Sequence, residues 1–128
     1  MNGFDSETLQ FFAQQPDALP LYGAFLEGVY ALDAAVRIRV QKTQITLSNR
    51  CVFACVSFAR VRKKSLLPKP YLVITLGLPF ALDSARVAVK TEPYPGRWTH
   101  HIVLSRPQDA DAELAEWLRL AYDFSMQK

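Results

Sequence analysis

No run of residues in this chain approaches the ~18 consecutive apolar positions that a membrane-crossing helix requires. Met1 leads into an acidic, amphipathic stretch instead of a basic region followed by an apolar one, so a cytoplasmic protein without membrane contact is expected. Cysteine is scarce: Cys51 and Cys55 are the two. Four positions apart on one strand, their Cα atoms would lie ~13 Å apart at ~3.3 Å per residue, beyond the ~7 Å that a disulfide tolerates, so both thiols should be free. The spacing is not the C-x-x-C of a metal knuckle or redox pair. Also missing are a glycine-rich phosphate loop, a G-x-S-x-G nucleophile turn and a paired acidic motif on a strand. No cofactor is therefore expected. Cys55 shows no partnered base that would turn its thiol into a nucleophile.

Positive charge is absent from the first 35 residues, which hold five acids (Asp5, Glu7, Asp17, Glu27, Asp33) and no Lys or Arg. Between Val36 and Arg106 there are 13 basic residues against Asp83 and Glu92, a balance of +11. The last segment, from Pro107, returns to −3, and the three balances of −5, +11 and −3 give the net +3. Half of the 128 residues are hydrophobic, far from the composition of a disordered chain, and the length suits one domain with one core.

Periodicity changes along the chain. Asp5 or Ser6 can cap a short helix carrying Leu9, Phe12 and Ala13, which must stop near Gln15 because Pro16 disfavours helical geometry before it. Asp17 could cap a second helix, with Pro20 in its first turn and an apolar stripe of Leu21, Phe25, Leu26, Val29, Tyr30 and Leu32. From Val36 the period is two. Val36, Ile38 and Val40 alternate with Arg37, Arg39 and Gln41, and Ile45 and Leu47 with Gln44, Thr46 and Ser48, which makes a hairpin. Cys51 to Ala59 and Tyr71 to Leu78 are apolar on both parities and belong in the middle of a sheet.

The connector from Arg60 to Lys69 is the most basic loop. Strands from Arg86 to Glu92 and from Arg97 to Ser105 flank a Pro-Gly turn signal at Pro93–Gly96, and Asp109 or Asp111 caps a last helix striped with Leu114, Trp117, Leu118, Ala121 and Tyr122. Helices and strands are segregated. The expected fold is α+β: two N-terminal helices, a six-stranded largely antiparallel sheet, one C-terminal helix, and the helices packed on one sheet face.

If the apolar parity of each strand meets the helices, the other parity presents Arg37, Arg39, Gln44, Thr46, Tyr71, Thr75, Lys90, Thr99 and His101. Cations on one sheet face with Tyr71, Phe53 and Tyr94 nearby would suit phosphate or single-stranded nucleic acid. A solvated sheet face paired locally with acids gives the same pattern. In Arg97-Trp98-Thr99-His100-His101 the adjacent histidines point to opposite faces, and no third ligand stands at a recognisable spacing, so no metal site is expected. His101 could carry a proton or contact an anion. Arg97 could fork onto a carboxylate or phosphate, or pair with Glu92. Trp98 and His100 share parity with Ile102 and should pack under a helix, their ring nitrogens satisfied by backbone.

Several segments together resemble an uncharacterised bacterial family, domain of unknown function 5655: Leu9-Gln10-Phe11-Phe12, Leu21-Tyr22, Lys42-Thr43-Gln44-Ile45-Thr46-Leu47 entering Phe53-Ala54, Arg97 to His101, and an acidic Trp117-bearing helix ending in Ala121-Tyr122. The resemblance covers most of the chain. It implies a small α+β module that also occurs attached to other domains, and it points to Lys42, Thr43, Gln44, Arg97 and His101 without assigning them roles.

The leading expectation is a binding module that engages an anionic ligand (nucleic acid, nucleotide or an acidic protein surface) through Arg37, Arg39, Lys42, Thr43, Gln44, Lys90, Arg97 and His101, with Tyr71 and Tyr94 as stacking partners. One alternative is an enzyme using His101 as general acid or base in a pocket near Arg97 and Thr43. Another is an interaction or structural domain, a homodimer through its sheet edge included.

Overall fold

The chain begins its first helix where Asp5 Oδ1 accepts the Thr8 amide at 2.8 Å, satisfying a donor that a first turn leaves over. The computed structural model describes residues 4–127. Helix α1 (Ser6–Phe11) tightens into a 3₁₀ turn at Phe12–Gln14, and Gln15, at φ −148° and ψ 77°, breaks the path ahead of Pro16. A second 3₁₀ turn, Pro16–Ala18, leads into α2 (Leu19–Leu32). Asp17 is therefore not the cap of α2. The proline-led turn occupies that position, so the helix starts after Ala18, whose methyl side chain caps nothing, with Pro20 in its first turn.

Six strands follow: β1 (Arg37–Val40), β2 (Gln44–Ser48), β3 (Val52–Ser57), β4 (Leu72–Leu78), β5 (Val87–Tyr94) and β6 (Arg97–Leu104), and then α3 (Ala112–Met126). They form one sheet in the order β1-β2-β3-β4-β6-β5, antiparallel at every pairing. The two doubly apolar segments, β3 and β4, lie in its middle as their composition requires. Helix α3 packs on β3 and β4, and α2 packs on α3. Inward-facing Ile45, Leu47, Val56, Ile74, Leu76, Ile102 and Leu104 retain no exposed surface and meet Leu21, Phe25, Val29, Leu118 and Ala121 in one core cluster. Each such side chain contributes about 1.5–3 kcal/mol by leaving water.

Polar ties fix α3 against the sheet. Asp111 caps it by accepting the Leu114 amide at 3.0 Å, and the same carboxylate and Glu113 each lie 2.9 Å from the Arg86 guanidinium. Arg86 also stacks over the Trp117 ring at 5.6 Å. At the other end of α3, Tyr122 donates to Asp33 at 2.7 Å and Asn49 donates to Ser125 Oγ at 2.9 Å. Cys51 and Cys55 are free, and no helix among the described residues is long and apolar enough to cross a membrane.

The turn between β5 and β6 places Pro95 and Gly96 at its centre, and Gly96 has φ +76°. Only glycine takes that conformation without a Cβ clash. Gly96→Ala should lower stability by about 1–2 kcal/mol in urea unfolding, with an unchanged fold by circular dichroism.

Candidate functional site

Directly paired residues of an antiparallel sheet point to the same side, so the register decides what each face carries. One outward row takes a residue from every strand: Arg39, Thr46, Cys55, Thr75, His101 and Val89. Arg37 lies beside this row, opposite Ser48. Arg39 and His101 are four strand spacings apart, about 19 Å at ~4.8 Å each. The middle of the outward face is thus uncharged, and its cations sit on the β1 margin and, with Arg97, at the β5–β6 turn. His101 does not add to them at neutral pH. It is half-buried, its Nδ1 lies 2.9 Å from Thr75 Oγ1, and burial holds its pKa below the ordinary histidine value. Burial likewise pushes the Cys55 thiol up, away from the reactive thiolate.

Three sequence expectations about faces are corrected. Lys90 does not share the outward face. An irregularity between Val87 and Val89 inserts one residue, so Val89 turns outward opposite His101, while Lys90 pairs with His100 on the helix side and donates to the Leu82 carbonyl at 2.8 Å. Phe53 is inward for the same reason. A register shift at Leu47/Ser48 lets it pack edge-on against Tyr122 of α3, ring centroids 5.1 Å apart. Tyr71 is buried at the start of β4, donating its hydroxyl to the Phe58 carbonyl at 2.6 Å and its amide to Gln15 Oε1 at 3.2 Å.

The other candidates separate along the strand direction. Arg97 and Tyr94 pair at the β5–β6 turn, at the end of the sheet opposite Lys42 and Tyr71, and Tyr94 is 67% exposed. Glu92 does not engage Arg97; it accepts the Gly96 amide at 3.1 Å. Arg37 donates to the Asn49 carbonyl and so braces the β2–β3 turn. Thr43, Arg97 and His101 do not share any of the four best-formed cavities, and His101 lines none of these four.

Lys42, Thr43 and Gln44 share one cavity, and Tyr71 lines another that has Gln14 in common with it. Lys42, Thr43 and Gln44 line a cavity of about 420 Å³ with Ser57, Phe58 and Ala59. Lys42 also borders one of about 470 Å³ with Glu7 and Gln10. Tyr71 lines a third, about 550 Å³, together with Gln14, Gln15, Pro16 and Asp17 and with Arg60, Lys64 and Leu67 to Pro70 of the connector. All three have Gln14 in their lining. This end of the sheet carries Lys42, Arg60, Lys64 and Lys69 against Glu7 and Asp17. Gln14, Gln15 and Asp17 are the lining residues that sequence reasoning passed over; the Gln-Gln-Pro-Asp break between two helices was the available signal. No group of three His, Cys, Asp or Glu able to hold a metal occurs among the described residues.

The family model described as Domain of unknown function (DUF5655) matches residues 8–125. The chain belongs to this family. No curated protein and no solved structure matches it. The DUF5655 match takes in the sheet end and its three cavities, apart from Glu7.

Within this DUF5655 domain a second polar arrangement lies under the sheet. His100 has no exposed surface, and its Nε2 accepts the Leu82 amide at 2.9 Å, so the Leu82 backbone is held by His100 at its N–H and by Lys90 at its carbonyl. Nδ1 must then carry the proton. It is buried without a hydrogen-bond partner among the described residues, so the expectation of two backbone-satisfied ring nitrogens holds for one of them. Burial lowers the His100 pKa, and Lys90 and His101 add to this, while the Leu76 and Trp98 backbone pulls the other way. Both histidines therefore bind fewer protons folded than unfolded, and their contribution to stability is complete above the unfolded pKa near 6.5 and lost as pH falls below it. The urea midpoint should fall as pH is lowered from 7.5 toward 5, and His100→Gln, whose amide oxygen can still accept from Leu82, should flatten that slope.

Proposed function

We propose that this chain is a binding module for an anionic ligand, held at the end of the sheet where the β1–β2 turn, the connector 60–69 and the segment 14–17 meet. One observation carries the reading. Four residues picked from the sequence (Lys42, Thr43, Gln44, Tyr71) and three connector cations (Arg60, Lys64, Lys69) line separate cavities that all have Gln14 in their lining. Cations gathered around concave, partly apolar walls attract and hold an anion better than the same charges on a flat sheet, because concave low-dielectric walls focus the field. Arg39, on the outward side of β1 two residues before Gln41, extends the positive field toward the turn. Arg37, Lys90, Tyr94, Arg97 and His101 are left outside this site.

The enzymatic alternative has the His101 to Thr75 hydrogen bond in its favour, but none of the four cavities encloses that imidazole. Free cysteines, with the Cys55 thiol held protonated, suit the reducing cytoplasm.

With a fluorescent single-stranded oligonucleotide as the polyanion probe, binding should weaken steeply as salt rises, and Lys42→Ala combined with Arg60→Ala should weaken it about tenfold or more. Arg97→Ala, at the opposite end, should leave it unchanged. Binding that is flat in salt, or that responds to Arg97 and ignores Lys42, would count against the site.

A further inference from the structure

The cavity lined by Tyr71 has a chemical order that its charge alone does not convey. Gln14 donates one of its two amide hydrogens to the Phe11 carbonyl at 3.1 Å, and its Oε1 can accept. Gln15 spends its Oε1 on the Tyr71 amide, which leaves its Nε2 to donate. Two adjacent residues therefore offer one acceptor and one donor group at the same cavity wall. Next to them, Asp17 supplies a carboxylate suited to hydroxyl donors. The connector contributes Arg60, Lys64 and Lys69. The lining is completed by Tyr71, whose ring is fixed by its hydroxyl bond to Phe58 and by edge contact with the Phe58 ring at 6.0 Å, and it includes three prolines, Pro16, Pro68 and Pro70.

A donor and acceptor pair, a carboxylate, an aromatic floor and a cationic wall are the complements of a planar heterocycle, a sugar diol and a phosphate. The volume of about 550 Å³ lies in the ~300–1,000 Å³ range of small-molecule sites. Resting on the anion-binding reading above, we propose that this cavity is a site for a mononucleotide. The heterocycle faces Gln14 and Gln15, the ribose hydroxyls donate to Asp17, and the phosphate turns away from that carboxylate toward Arg60, Lys64 and Lys69. Rigid prolines and a pinned tyrosine keep the ordering cost of binding small.

Isothermal titration with adenosine 5′-monophosphate, uridine 5′-monophosphate, adenosine and inorganic phosphate, together with amide shift mapping, tests this. At least one nucleotide should bind about tenfold or more tightly than adenosine or phosphate, the value of a charge-assisted hydrogen bond, with shifts at residues 14–17 and 60–71. Gln15→Glu keeps the acceptor for the Tyr71 amide and removes the donor, so it should weaken the nucleotide while the fold is retained. Lys64→Ala with Lys69→Ala should abolish the advantage of nucleotide over nucleoside. Nucleotides that bind no better than phosphate, or shifts confined to Lys42 and the β1–β2 turn, would overturn this site and leave the general anion reading standing. So would an oligonucleotide that binds through Lys42 while both mononucleotides stay silent. Absence of binding by every anion would remove both.

Discussion

A pleated strand hands its side chains to two faces in strict alternation, and everything placed on this sheet depends on where that alternation is interrupted. The pairing has three one-residue irregularities; one lies at Thr91/Tyr94 beside the last turn, and those at Leu47/Ser48 and between Val87 and Val89 change the face of the side chains next to them. The shift at Leu47/Ser48 turns Phe53 under α3, where it packs on Tyr122. The one between Val87 and Val89 takes Lys90 off the outward face and delivers it to the Leu82 carbonyl beside His100. With those two side chains on the helix side and His101 neutral, the outward face is hydroxyl-rich and weakly charged in its centre.

The end that carries Lys42 is assembled from pieces distant in sequence. The 3₁₀ segment contributes Gln14 to Asp17, the β1–β2 turn contributes Lys42, and the connector that leaves β3 and returns as β4 contributes its cations and prolines. The sheet supplies rigidity: β3 and β4 are neighbours in its middle, and Val56, Ile74 and Leu76 on their inner side are wholly buried. Charged loop segments are thereby carried on fixed strands, the usual division between scaffold and site.

The fold could be read closely from residue pattern. Period-two alternation marked β1, β2 and β5, doubly apolar runs marked β3 and β4 as central, and Pro95-Gly96 marked the last hairpin, because each of these signals is local. Helix starts were legible where a carboxylate caps, as at Asp5 and Asp111, and misread at Asp17, where Pro16 imposes a 3₁₀ turn first. The site was legible only in part. Lys42, Thr43 and Gln44 stood out, and the basic connector was visible as a charge run. Which charges share a concavity depends on chain paths that no local pattern encodes, and a single bulge is invisible to strict alternation. Arg86 illustrates the same limit, since its ties to Asp111, Glu113 and Trp117 span loop and helix.

The margins of the sheet have a consequence for how two such molecules can meet. On one side stands a four-residue strand with Arg37 and Arg39; on the other, a strand irregular in two places, carrying Lys90 and Glu92 and lacking an amide hydrogen at Pro93. Neither offers the long, flat, uncharged row of backbone groups on which a neighbouring chain could template itself, so the sheet ends where the molecule ends and side-by-side aggregation is discouraged.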